Sequence, residues 1–253
     1  MHALEAVLVV LYSLMLWYDV RTGLTEYAAF KLLMETSARQ RYYKHWLLRS
    51  FLFFSGSALI GLMILGRWRA LLSLPGEFSG ISQALRRAVP DLLSSRQFLF
   101  AFGGGVCVCV VLGGVIAAKL ADRGRSLMVG DVEPLMPRNL PETGHTLLLS
   151  LNAGLGEELL FRLFLPLLLA SLSGNAVFAL IASALVFGVM HVYQGPLGVV
   201  ITTFLGFALT AIYLGTGRIW IAVAVHAGID IVGLVVRPTI VRVLRARQAN
   251  APV

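Results

Sequence analysis

The chain has 253 residues, of which 58% are hydrophobic and only 13% charged, with a mean hydropathy of +0.81. Soluble domains carry about 25% charged and about 45–50% apolar residues, and disordered chains are poorer still in apolar residues, so both classes are excluded. The formal charge of +8 comes from 21 basic against 13 acidic side chains, and because the basic residues flank long apolar runs it points to anionic lipid headgroups and not to nucleic acid.

A membrane span needs about 20 mainly apolar residues. Reading for such runs predicts an all-α, polytopic integral membrane bundle of about 7–8 transmembrane helices. Seven candidates lie near residues 3–18, 46–65, 98–118, 146–170, 175–193, 197–214 and 219–236. The first is short, and it does not read as a cleavable signal peptide: a basic leading region is missing, Glu5 is present, and no small-residue cleavage site precedes Asp19. An eighth span or an interfacial helix around residues 70–93 accounts for Arg67, Arg69, Arg86, Arg87 and Arg96. These residues disagree with a simple seven-span charge pattern.

The basic first loop (Arg21, Lys31, Arg39, Arg41, Lys44), the third loop (Lys119, Arg123, Arg125, Arg138) and the tail (Arg237, Arg242, Arg245, Arg247) then fall on one side. That side reads as the cytoplasm. The last four spans follow one another closely and should be antiparallel neighbours. Pro134, Pro137 and Pro141 mark residues 119–145 as a surface connection. The chain thus reads as a single integral membrane domain over 1–253, with N-terminal spans and basic loops over about 1–125 and a compact core over about 146–236. Cys107 and Cys109 point about 200° apart on a helix and read as packing residues, not as a disulfide or metal pair.

Between residues 146 and 236 only Glu157, Glu158, Arg162, Arg218 and Asp230 are charged. Arg218 belongs to a Gly-Thr-Gly-Arg connection. The other four lie inside predicted spans, together with His191 and His226. Ionisable groups at bilayer depth are costly and usually face a functional interior. Glu158 and Arg162, four apart with the acid first, suit an ion pair along the helix. Glu157, about 100° away on the helix, is then the freer carboxylate, able to take a proton from water. His191 follows Phe187 by four residues and shares its face. His226 precedes Asp230 by four, which lets a carboxylate orient an imidazole. Small residues at 154, 156, 188 and 228 permit close helix approach.

Two Glu, two His and one Asp on three spans look like a hydrolytic centre. Other designs fit less well. HExxH and GxSxG are absent, and an intramembrane aspartyl dyad needs a second Asp. Zinc held by Glu157, His191 and His226 stays open, since two His and a carboxylate make a known zinc shell.

GEELLFR (156–162), FGVMH (187–191) and HAGID (226–230) occur in this order, each on its own predicted span. They resemble the EExxxR, FxxxH and Hxxx-Asn motifs of the CPBP family, the CAAX proteases and bacteriocin-processing enzymes also called Abi. The resemblance covers about residues 125–236. It implies a glutamic-type intramembrane endopeptidase without a required cofactor, cutting near the C-terminus or membrane segment of a protein. It further implies that Glu157 activates water with help from His191, that Glu158 and Arg162 hold the first motif, and that His226 and Asp230 stabilise the oxyanion or set the second imidazole. Phe187 is expected at the substrate.

Asp230 stands where better-known members carry Asn, and an ionised Asp cannot donate to an oxyanion. The implied partners are a protein or peptide with a membrane-associated tail, prenylated in the CAAX case, and the bilayer. A bacterial inner membrane is the expected location. The competing reading is a non-enzymatic membrane protein that uses the same cluster for protons, ligand or scaffold. A transporter would be expected to carry internal repeats, and none is seen.

Overall fold

The computed structural model describes residues 2–88 and 131–249, with side chains as far as residue 243. The predicted span near 98–118, the pair Cys107 and Cys109, and the basic residues Arg96, Lys119, Arg123 and Arg125 lie outside the described residues. Every described element is helical. Helix α1 (His2–Lys31) buries Leu8, Tyr12 and Leu16 at four-residue spacing, then Tyr27 and Phe30 further on. Its other faces leave Val7, Leu11, Leu14 and Trp17 exposed. Helix α2 (Thr36–Ser50) continues through a π-helical turn (Phe51–Gly56) into α3 (Ser57–Ile64).

The first helix therefore runs well past the expected boundary at residue 18, and most of the expected basic loop is helical. Only residues 32–35 connect α1 to α2. The reason lies in pairing across the two helices. Arg49 Nε is 3.1 Å from Asp19 Oδ1, and its Nη1 donates to Glu26 Oε2 at 2.7 Å. Polar residues that a span could not carry alone are accommodated in pairs.

A short 3₁₀ turn (Trp68–Leu71) leads to α4 (Gly76–Ala88), which occupies the region expected to hold an additional span or interfacial helix. It buries Phe78 and Ser82, and Ser82 Oγ donates to the Leu214 carbonyl at 2.7 Å. Helix α5 (Leu140–Glu158) starts earlier than the predicted 146 because Asn139 caps it. The Asn139 Oδ1 accepts from Glu142 N at 3.0 Å, and Pro141 occupies the first turn, where its missing N–H costs nothing.

A π-helical turn (Leu159–Phe164), buried throughout, carries α5 into α6 (Leu165–Ser173). Gly174 (φ 68°) closes α6, and Gly217 (φ 70°) closes the helix Gly195–Thr216, both in the left-handed conformation that glycine adopts freely. Helices α7 (Ala176–Met190), α8 (Gly195–Thr216) and α9 (Ile219–Ile231) follow as short-linked antiparallel neighbours. A π turn (Val232–Val236) and α10 (Arg237–Ala249) are the last described elements.

Among the described residues, four helices are long and apolar enough to cross a membrane: His2–Lys31, Thr36–Ile64, Val192–Thr216 and Ile219–Val243. The apolar helix Ala176–Met190 is shorter. The stretch from α5 to α6 is long, but it carries the charged first motif. Large exposed side chains such as Phe178, Ile181, Leu185, Val200, Ile201 and Phe204 form apolar surfaces that a water-soluble monomer rarely carries. They suit a protein embedded in lipid.

Glycine lets two helix backbones of the core come together. A Cβ at Gly154 of α5 would sit 2.6 Å from Ala227 N and 2.7 Å from Ala227 Cβ on α9. Gly156 lies against Ser55 and Phe54, and Gly188 against Thr203. Gly228 differs from the expectation: a Cβ there would meet nothing within 4 Å. It lies on the side of α9 away from that contact, so it contributes nothing to close approach.

Candidate active site

The backbone contact at Gly154 lets α5 and α9 approach until Glu158 meets His226, which sits one residue before Ala227. His226 Nδ1 donates to Glu158 Oε1 at 2.7 Å, with both side chains buried. The same oxygen lies 3.0 Å from Arg162 Nη1. The angle there is too poor for a hydrogen bond, so Arg162 contributes its charge while Nη1 and Nη2 remain without acceptors. The guanidinium instead lies over the Phe187 ring, its Cζ 3.9 Å from the ring centre, where the negative face of the ring supports a cation.

Phe187 is fully buried. Its ring contacts the His191 ring at 4.7 Å and the His226 ring edge-on at 5.9 Å. The residue expected at the substrate thus has no exposed surface and does not line the cavity; its ring packs between the two imidazoles and Arg162.

His191 ends α7. Its Nδ1 donates to the Phe187 carbonyl at 2.8 Å, one helical turn back, which leaves Nε2 free. Both imidazoles thus have Nδ1 tied down and Nε2 turned toward one atom. Glu157 Oε2 lies 3.8 Å from His191 Nε2 and 3.8 Å from His226 Nε2, and it has no hydrogen-bond partner. Asp230 Oδ2 is also 3.8 Å from His226 Nε2. All six ionisable residues predicted from sequence therefore converge.

One relation differs from the expectation. Glu158, not Asp230, fixes the orientation of His226, because it takes the Nδ1 proton at bonding distance while Asp230 stands off the opposite nitrogen. The spacing of four along α9 places Asp230 near the ring. Nothing in the spacing could reveal that a carboxylate 68 residues earlier arrives first.

Glu157, His191 and Asp230 line a cavity of about 380 Å³, which also touches Asp19, Tyr27, Arg49 and Tyr193. Tyr193, just past His191, stacks loosely on that ring at 5.9 Å and meets Tyr27 edge-on at 5.2 Å. Asp19 and Arg49 were not among the candidates from sequence. Their signal was present, since Arg49 falls inside the predicted span 46–65, but its partners stand on a different helix. For zinc, the three atoms Glu157 Oε2, His191 Nε2 and His226 Nε2 face each other, yet among the described residues no group of three or more His, Cys, Asp or Glu is arranged to hold a metal ion.

No curated protein and no solved structure matches this chain. A family model does: the one described as type II CAAX prenyl endopeptidase Rce1-like matches residues 139–232. The matched stretch runs from the cap of α5 to the end of α9 and contains all three motifs and the six converging side chains, so the likeness to the CAAX proteases read from those motifs holds, and the segment that builds this cluster is similar to that of the Rce1-like type II CAAX prenyl endopeptidases.

Proposed function

We propose that the protein is a glutamic-type intramembrane endopeptidase that hydrolyses a peptide bond near the C-terminus of a membrane-associated, CAAX-type protein tail. The observation that carries this reading is the unpartnered Glu157 Oε2, held 3.8 Å from two imidazole nitrogens at the wall of a cavity. A gap of that size accepts a water bridging the carboxylate and an imidazole. Glu157 takes a proton from the water as its oxygen attacks the scissile carbonyl carbon. His191, with its Nδ1 proton engaged by Phe187, offers an Nε2 lone pair that orients the same water.

His226 can carry a proton on Nε2 while Glu158 holds Nδ1, and that N–H faces the developing oxyanion. The carbon–nitrogen bond breaks as the proton taken by Glu157 passes to the leaving amine. Glu158 and Arg162 are positioning residues acting through His226 and Phe187. Asp230 acts on the His226 Nε2 side and, when ionised, accepts and does not donate. The partners are the tail-bearing protein substrate and the bilayer. A bacterial inner membrane with the C-terminus in the cytoplasm fits the basic residues of the tail.

The test compares protein termini in membranes of cells carrying the native chain or Glu157→Gln, at equal protein levels. Segments retained only in the variant support the reading and name the substrates; identical termini overturn it. Removing a general base typically costs about 10²–10⁴ in rate, so partial cleavage at near-native rate would also count against Glu157 as the base.

A further inference from the structure

The cavity has a second polar wall, opposite in character to the Glu157 wall, that the three motifs do not contain. Arg49 lies 13 residues into the helix that begins at Thr36, about 20 Å along its axis, and Asp19 lies 12 residues from the end of α1, about 18 Å. An arginine and an aspartate held largely out of water on two neighbouring helices call for a use, because the desolvation cost is high. Glu26 holds the arginine from behind. It accepts from Arg49 Nη1 at 2.7 Å, from Trp46 Nε1 at 2.6 Å and pairs with His45 Nε2 at 3.1 Å, so its acceptors are occupied.

Arg49 Nε lies against Asp19 Oδ1, and both side chains line the cavity. Among the described lining residues Arg49 is the one guanidinium or ammonium. The opening beside it is made by Gly23, also in the lining. A Cβ built there would stand 3.9 Å from Arg49 Nη2, so the missing side chain leaves that NH₂ accessible.

We infer that Arg49 and Asp19 form a grip for the main chain of the peptide substrate, Arg49 Nη2 donating to a peptide carbonyl and Asp19 accepting from a peptide N–H. This rests on the endopeptidase reading above. A neutral peptide unit is the ligand because Glu26 already balances Arg49 and Asp19 adds a further negative charge. A carboxylate would be repelled, whereas a peptide group supplies one acceptor and one donor to a wall that offers one of each. The grip holds the chain extended across the cavity and sets how far along it the Glu157 water can strike.

The test uses purified full-length protein in detergent with a farnesylated CAAX-ended peptide and a matched depsipeptide in which one backbone N–H near the cleaved bond is replaced by ester oxygen. Gly23→Leu leaves every ion pair in place and covers Nη2. It should raise KM about tenfold or more with kcat within about threefold, as expected for loss of a charge-assisted hydrogen bond. Asp19→Asn should raise KM for the amide peptide and add nothing further for the depsipeptide at the sensitive position. Unchanged KM in Gly23→Leu, or a fall confined to kcat, overturns the grip while leaving the endopeptidase reading standing. A wild-type protein that cleaves neither peptide overturns both for CAAX-type substrates. Thermal unfolding of each variant separates lost grip from lost fold: a KM rise at unchanged Tm supports the grip, and a rise that tracks a lowered Tm overturns it.

Discussion

Among the described residues two arginine–glutamate pairs are almost wholly buried, and they are built differently. In the first, Arg39 Nε donates to Glu142 Oε2 at 3.1 Å, and Nη2 reaches Tyr43 Oη at 2.8 Å and the carbonyls of Pro134 and Met136 at 2.9 and 3.1 Å. Glu142 Oε2 also accepts from Arg138 N at 3.0 Å, and Phe30 lies beneath the guanidinium at 4.2 Å. The arginine is satisfied by backbone, ring and carboxylate together. In the second, Arg162 has a single close oxygen on Glu158 and no acceptor for either Nη. A lock that joins α2 to the first turn of α5 and to the segment before it can saturate its donors. A pair beside a reaction site keeps polar capacity free, and its carboxylate is shared with the imidazole it must orient. Glu142 Oε1 and Glu158 Oε2 are both left without a partner, so what tells the two pairs apart is the arginine: the donors of Arg39 find acceptors and those of Arg162 do not.

The comparison breaks most visibly if the lock is opened. Arg39→Leu leaves Glu142 fully buried without its main partner, which should cost about 3–5 kcal/mol of stability. Arg39→Leu combined with Glu142→Leu should recover most of that loss, since two apolar side chains of similar size need no partners. Denaturation in detergent checks both. Arg162→Leu should behave in the opposite sense: a smaller stability loss, because Glu158 keeps His226, together with a fall in peptide cleavage of about tenfold or more as His226 and Phe187 lose their setting. If the two single variants lose stability equally and Arg162→Leu keeps full activity, the distinction between lock and site fails.

How much of this was legible beforehand follows from which interactions are local. The six charged and imidazole groups of the core could be read because charge inside an apolar run is conspicuous, and the Glu158–Arg162 pair because four-residue spacing maps onto one helical face. Freedom of Glu157 followed from the same geometry and matches its place at the cavity wall. The Glu158–His226 bond could not be read, since it depends on α5 and α9 touching at Gly154 and Ala227. The packing of Phe187 could not be read for a similar reason: the spacing places it on the face of His191, but its contacts with His226 and Arg162 come from other helices. The length of α1 was missed because Asp19 and Glu26 look like a span's end until Arg49 is seen beside them. The lock at Arg39 joins residues about a hundred positions apart and left no periodic trace in the sequence.

Glycine offers the finest version of the same contrast, since four small residues near the motifs looked equivalent in sequence and two of them now separate cleanly. Gly154→Val should force α5 from α9, because its Cβ alone would stand 2.6 Å from a backbone nitrogen that has no rotamer to change. A cost of about 1–3 kcal/mol is expected from overpacking, with cleavage reduced further as Glu158 withdraws from His226. Gly228→Ala, on the same helix as Ala227, should do neither, because space is open around it. Alanine is the better helix former by about 1 kcal/mol, so stability should hold or rise slightly while cleavage stays within about twofold. Loss of activity in Gly228→Ala at unchanged stability would mean that the open side of α9 is occupied during the reaction, and the substrate path would then have to run between Gly228 and the cavity wall at Ile229 and Asp230.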